Sequence, residues 1–320
     1  KHAANKYIKT LSKSISSLIE NKKKEVILFL SGGHDSRSIL SLIKRKIKCF
    51  TLGYSENKEV SIAKKCSNLM NQEFVFCQLT KDHMSYYYDE AVKVSSGYHS
   101  FIDAFFIGIN SDLINSDKIA IHGHGLDYFF QGSYLPTEWV YFFGRPTFFK
   151  RPRKVIQKFA EDFVCNVPYR VKGIEVDKYI KKDFRKKIYL QLLKRIDQIK
   201  NKYNEPESSE FDKWDMLLID TLGRHYSRPN IDGKALLCEV RIPAFNNELL
   251  DFFLSLPNYM KINSLLPRML LKKSKIGKVP TANWLFPASD SPFIKTVRLI
   301  FRFLKRRILR NPSIRGPKSE

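Results

Sequence analysis

The string Ser31-Gly32-Gly33-His34-Asp35-Ser36 has residue types suited to holding an anion beside a metal ion. Two adjacent glycines let backbone approach a ligand where a Cβ would intrude. The free N–H groups of a helix start, with its dipole, favour negative charge there. Ser31 and Ser36 add hydroxyl groups. Asp35 would repel a bare phosphate, but it suits a site in which Mg²⁺ lies between carboxylate and phosphate. The string is neither a Walker A loop nor a dinucleotide fingerprint: no G-x-x-x-x-G-K-[ST] occurs, and no G-x-G-x-x-G follows a strand. A plain strand–turn–helix joint would account for the glycines alone.

A second stretch, from Ile121 through His122-Gly123-His124-Gly125-Leu126-Asp127-Tyr128-Phe129-Phe130-Gln131 to Gly132, again leaves a strand-like segment. In a parallel sheet all strand C-termini share one edge, and ligands bind there. Asp35 and Asp127 are therefore expected to converge and to hold Mg²⁺ against the phosphates of ATP. Asp127 also suits a helix start for the dipole alone.

The elements that would position these loops alternate. Glu25–Leu30, Cys49–Leu52, Phe74–Leu79 and Lys118–Ile121 read as short buried strands. The pattern through Ile39, Leu40 and Ile43 reads as a helix, as do Glu59–Met70, Lys81–Val94 and Ile102–Ile114. The expected fold class is α/β, a parallel twisted sheet with helices on both faces, followed by a mainly helical C-terminal part. Phe211–Leu222 and Asn247–Leu256 read as helices there, after a polar linker at Asn201–Glu210. Trp139–Phe149, broken by Gly144, Arg145 and Pro146, reads as a packed loop.

At this point the residues resemble a known family. S-G-G-H-D-S is similar to the pyrophosphate loop of the ATP-pyrophosphatase (adenine nucleotide alpha hydrolase-like) superfamily. G-H-G-L-D-Y-F-F-Q-G-S-Y resembles the asparagine synthetase block S-G-E-G-A-D-E-L-F-G-G-Y. Glu239-Val240-Arg241-Ile242-Pro243-Ala244-Phe245, with Asn247-Glu248-Leu249 and Leu254-Ser255-Leu256-Pro257, is similar to that family's E-V-R-V-P-F-L-D-x-x-L…L-S-L-P. The three blocks stand in the family's order over Glu25–Leu256, with little match across 150–206.

The resemblance implies an ATP-dependent amidotransferase. A substrate carboxylate, small or glycan-borne, attacks the α-phosphate of ATP to give an acyl-adenylate and pyrophosphate. Ammonia or another amine then displaces AMP. By the same resemblance Ser31, Gly32, Gly33, Asp35 and Ser36 hold pyrophosphate and metal, with Asp35 and Asp127 as the Mg²⁺ ligands. Leu30, Leu52 and Gly123 border the adenosine. Three departures stand out. His124 replaces the family's Glu, which assists proton removal from the amine. Tyr128 replaces its next acid. Pro267-Arg268-Met269-Leu270-Leu271-Lys272 offers Arg268 where the family has a phosphate-neutralising Lys, and Lys272 in place of its Arg. His124 can serve as a base near neutral pH, and Arg268 keeps the charge. His124 and Arg268 are the candidate catalytic residues; lost turnover and a hydrogen-bonding role for His124 stay open. The other histidines, His83, His99 and His225, show no ligand spacing, and His34 fills a variable slot.

Charge bounds the partners. The 320 residues carry 56 Lys+Arg against 32 Asp+Glu, a net +24, most of it local. Lys150 to Lys202 holds 17 basic and 6 acidic residues, and Ser291 to Glu320 nine basic and one acidic. This division suggests a domain over 1–290 and a basic amphipathic tail over 291–320. Phe293, Val297, Ile300, Phe301, Leu304 and Ile308 recur at helical spacing with cations between them. That helix either packs on the domain with its basic face solvated, or meets an anionic membrane surface through 293–310. Nucleic acid is the less favoured partner. A tRNA-modifying ATP-pyrophosphatase remains an alternative, as does a nucleotide-binding scaffold without turnover. Hydrophobic residues at 43% exclude wholesale disorder, and no apolar run approaches the ~20 residues of a membrane span. Cys49, Cys66, Cys77, Cys165 and Cys238 form no C-x-x-C pair, so most should be buried thiols in a reducing cytoplasm. Cytoplasmic placement, peripheral at the inner membrane face, follows. Residue 1 is Lys, so a preceding segment is expected. The family's glutaminase, led by a Cys, would lie upstream of it or be a separate protein.

Overall fold

In a computed structural model the chain is described over residues 1–20, 24–94, 106–109, 113–142, 144–166, 180–222, 228–281 and 286–308. Among the described residues seven strands form: β1 (Glu25–Phe29), β2 (Lys48–Gly53), β3 (Glu73–Gln78), β4 (Lys118–Ile121), β5 (Thr137–Phe142), β6 (Arg145–Pro152) and β7 (Glu239–Arg241). Five make one sheet in the order β3-β2-β1-β4-β7, and every pairing in it is parallel. β1 is central, with Ile27 beside Lys48 of β2 and Val26 beside Ile119 of β4.

Both faces of β1 are covered. Val26 and Leu28 join a large core that includes Tyr7, Leu11 and Ile15 of the helix His2–Leu18, together with Ile39 and Leu40 of the helix His34–Leu42. Ile27, between them in sequence, points the other way and packs with Phe50, Ala120 and Cys238. Side chains alternate along a strand, so burial on both faces requires an unbroken apolar run rather than an alternating one. Val26–Leu30 is that run.

The strand order fixes where a ligand goes. From β1 the chain moves outward through β2 and β3 on one side; β4 and β7 then add on the other. The C-terminal ends of β1 and β4 flank the point of reversal, where the crevice opens. The loops after them carry the two sequence motifs.

The sequence reading departs from the structure in several places. Lys81–Val94 is two short helices, His83–Tyr86 and Tyr88–Val94. Most of Ile102–Ile114, with His99 and His225, lies outside the described residues. Trp139–Phe149 is not a loop: β5 and β6 pair as an antiparallel hairpin, with Gly144 at its turn in the left-handed region (φ 71°). In the tail, the helix Pro292–Ile308 forms, but Phe293 and Phe301 are exposed while Lys295 is buried. Cys49, Cys66 and Cys238 are buried free thiols, and burial pushes all three up. No helix among the described residues is long and apolar enough to cross a membrane.

Candidate functional site

The β1 loop is closed by its own serines. Ser31 N–H donates to Ser36 Oγ at 3.0 Å, and Ser36 Oγ donates to the Ser31 carbonyl at 3.1 Å. Gly33 N–H donates to Ser31 Oγ at 3.2 Å. These hydroxyls shape the loop. The Gly32 N–H donates to the Glu59 carboxylate at 3.3 Å, so that amide already faces an anionic oxygen. Gly33 is the N-cap of the helix His34–Leu42, which puts Asp35 in its first turn.

The β4 loop comes down onto that turn. A Cβ on Gly123 would stand 3.0 Å from Asp35 Cβ and 3.2 Å from the Ser36 amide nitrogen. Gly125 takes φ 87° and caps the helix Leu126–Phe130; a Cβ there would meet Ala244 Cβ at 2.9 Å. Only glycine combines this conformation with this contact. Leu126–Phe130 then presents Asp127 from its first turn.

Asp35 and Asp127 line the same lobe of the cleft. Burial, and then the nearby Asp127 charge, push the Asp35 carboxyl well above its ordinary range. Gln131 Nε2 donates to Asp35 Oδ1 at 2.7 Å and opposes the shift. A buried acid whose proton affinity a second acid raises is a place for a cation. Among the described residues there is no cluster of three or more His, Cys, Asp or Glu placed to hold a metal. Two carboxylates fit Mg²⁺, which keeps waters and phosphate oxygens as its other ligands.

The cleft has two lobes, of about 350 and 370 Å³, which share Ser31, Asp35 and Glu59. Leu30, Leu52, Ser36, Gly123 and His124 line the lobe that holds Asp127. Gly32, Gly33 and Arg268 line the other, the first lobe, of about 370 Å³. Every sequence-predicted site residue thus reaches one cleft.

The first lobe is cationic. Arg268, on the helix Leu265–Leu271, is 6% exposed, and its Nε donates to the Asn263 carbonyl at 2.9 Å. Burial lowers its guanidinium to about 10. Lys295, 8% exposed, lines the same lobe. Burial and then Arg268 pull its ammonium below the ordinary value, with Asp290 opposing both shifts. Two buried cations facing a glycine loop favour a polyanion.

His124 and Tyr128, the two departures from the family block, touch each other. Tyr128 Oη lies 3.4 Å from His124 Nε2, with the rings edge-on at 5.3 Å. His124 N–H donates to His122 Nδ1 at 3.1 Å. Burial, then Lys234 and His124, hold the His122 ring well below its usual value, so it is neutral. His34 Nε2 lies 2.9 Å from the Ala288 carbonyl. Arg37, fully buried, donates to the Val279 and Pro280 carbonyls at 2.7 and 2.5 Å.

Glu59, Gln131 and Lys295 also line the cleft, and the sequence does not single them out. Gln131 stands inside the G-H-G-L-D-Y-F-F-Q-G stretch and Glu59 at a helix start, but nothing local ties either to the β1 loop. Lys295 was one cation among many.

A family model described as asparagine synthase matches residues 7–283. The chain belongs to the asparagine synthase family. It is an ATP-using synthetase domain of the ATP-pyrophosphatase type, on a five-stranded parallel sheet. A search of curated proteins finds no match. Among solved structures, the chain is similar to an NMN synthetase from Francisella tularensis, at 14% identity over 78% of this chain and 91% of that chain, with a TM-score of 0.30. Lys295 lies beyond the span matched to the asparagine synthase family.

Proposed function

We propose that this asparagine synthase family domain activates a carboxylate as its acyl-adenylate and transfers the acyl group to an amine. The observation that carries this reading is the convergence of Asp35 and Asp127 beside the glycine loop, at the reversal point of the sheet. Leu30, Leu52 and Gly123 would take the adenosine. Asp35 and Asp127 would hold Mg²⁺, which supplies charge neutralisation at the phosphates. Arg268 and Lys295 would hold the β- and γ-phosphates. A carboxylate oxygen of the substrate forms a bond to the α-phosphorus as the bond to pyrophosphate breaks. The two buried cations favour that departure because negative charge builds on the leaving group.

The amine then attacks the acyl carbon, AMP leaves, and the nitrogen gives up a proton. His124 is the candidate acceptor. Its Nε2 faces Tyr128 Oη, which would orient the ring and leave proton transfer to a neutral imidazole. Ammonia and a small or glycan-borne acid are the substrates in this reading.

Exchange of radiolabelled pyrophosphate into ATP, driven by a panel of carboxylates, tests the first half-reaction. Exchange with one acid, lost in both Asp35→Ala and Asp127→Ala, is the expected result. ATP binding without exchange for any acid would sink it. The His124–Tyr128 contact also suits a nucleotide-binding scaffold that has abandoned amide formation. Gain of amide product in His124→Glu, from none in the parent, would favour that second reading.

A further inference from the structure

The outer wall of the first lobe is built by two neighbouring elements, the β5–β6 hairpin and the helix Pro292–Ile308. They pack together through Phe148, whose N–H reaches Thr296 Oγ1 at 3.5 Å and whose ring meets Phe286 edge-on at 5.9 Å. Trp139, Phe148, Pro292 and Lys295 line the lobe from this wall.

Away from these contacts the same two elements leave large apolar side chains in solvent. Phe293 is 74% exposed, Phe301 68%, Tyr141 62% and Phe142 54%, with Leu299 and Ile300 also exposed. Single exposed apolar residues are ordinary. Six on two adjoining elements, next to a substrate cleft, are not. The charge around them is basic. Arg298 and Arg151 are half-exposed on their side chains, each paired with one acid, Asp290 at 3.2 Å and Glu138 at 2.6 Å. The excess is in the sequence, where residues 137–152 carry three cations against one anion and residues 291–320 nine against one. The four rings would serve base stacking or a lipid interface alike, but Leu299 and Ile300 offer nothing to a base and suit an acyl boundary. A bilayer interface takes both parts, apolar side chains at the acyl boundary and cations at the headgroup phosphates.

We propose that the β5–β6 hairpin and the helix Pro292–Ile308 form a docking surface for an anionic lipid bilayer, which brings the rim of the first lobe to the membrane. This docking is independent of the ligase chemistry and stands or falls without it.

The test uses the full chain, sedimented with vesicles of phosphatidylcholine alone or mixed with phosphatidylglycerol. Binding to the mixed vesicles, weaker with phosphatidylcholine alone and weakened by salt, is expected. The double variant Phe142→Ser, Phe301→Ser leaves net charge unchanged and alters two exposed positions. It should bind the mixed vesicles about tenfold or more weakly, since each phenyl withdrawn loses apolar burial. Its thermal unfolding and its ATP binding without lipid should match the parent. No binding to mixed vesicles overturns the proposal. So does equal binding by parent and double variant, which would mark the surface as merely basic. Parent and variant binding tRNA equally and more tightly than vesicles would assign the charge to nucleic acid and also overturn it.

Discussion

Gly123 leaves no room for a methyl group. With Asp35 Cβ at 3.0 Å from where its Cβ would be, Gly123→Ala must push Asp35, the proposed metal ligand, or the β4 loop aside. We expect ATP affinity to fall by about tenfold or more, with a stability cost of about 1–3 kcal/mol from overpacking; calorimetric titration with Mg-ATP and urea unfolding measure the two. The sequence showed the glycine and the aspartate but not their contact, which depends on how two distant loops meet. A different risk sits in Lys261 and Asp215, a fully buried pair at 2.5 Å. Burial still pushes the Asp215 carboxyl up to about 6, against the pull of Lys261. Lys261→Met strands that acid and should cost about 3–5 kcal/mol, while Lys261→Met with Asp215→Leu should recover most of it. Denaturant midpoints of the two variants check this, and equal losses would contradict it. His34 supplies a pH dependence. Burial, with Lys295, Arg37 and Arg268 near, holds its imidazole down to about 4 against an ordinary 6.5. The unfolded chain therefore takes up the proton first, and stability is lost as pH falls from about 6.5 toward 4. The difference in unfolding free energy between the parent and His34→Asn should shrink across that window.

Helix and strand identities were legible wherever burial was two-sided or the period clear. β1, β2, β3 and β4 fall within a residue or two of the apolar runs. β1 and β4 are buried on both faces and have no other pattern to offer, whereas β3, read as buried, is an edge strand of half-buried residues that keeps an apolar run. The β5–β6 hairpin was hidden for the opposite reason. Trp139 and Tyr141 are exposed on β5, as is Phe149 on β6, so aromatic content there did not report burial. In the tail, periodicity gave the helix Pro292–Ile308 but not which side faces inward. Its buried cation lies at the cleft, and only tertiary contact tells Lys295 from Arg298. The helix Lys58–Leu69 carries a test of element and site together. Asn57 Oδ1 accepts the N–H groups of Glu59 and Val60 at 2.9 and 3.1 Å. Asn57→Ala removes that cap, for about 1 kcal/mol, and frays the turn from which Glu59 reaches Gly32. A modest fall in melting temperature should come with a change in ATP affinity; a fall in melting temperature alone would detach Glu59 from the nucleotide loop.

A boundary at residue 290, natural from the charge step in the sequence, cuts through the cleft. The sheet and both aspartates lie before it, and the helix Pro292–Ile308 lies after it, packed on β6 and carrying Lys295 into the first lobe. Chains tolerate truncation where the lost backbone and side chains are exposed, and this segment is not wholly so. A chain ending at 290 keeps the parallel sheet, whose core residues all precede the cut, so its far-ultraviolet circular dichroism should still show a folded α/β protein. It loses one of two buried cations from the lobe assigned to the leaving phosphates, and Phe148 loses its Thr296 partner. Pyrophosphate should inhibit ATP binding at least about tenfold more weakly in the truncated chain, as expected for removing one desolvated charge contact. Lys295→Ala in the full chain separates charge from packing: it should reproduce most of that loss while keeping the parent melting temperature. If Lys295→Ala binds pyrophosphate like the parent while the truncation does not, the helix acts by closing the wall, and the lysine has no part in holding the phosphates.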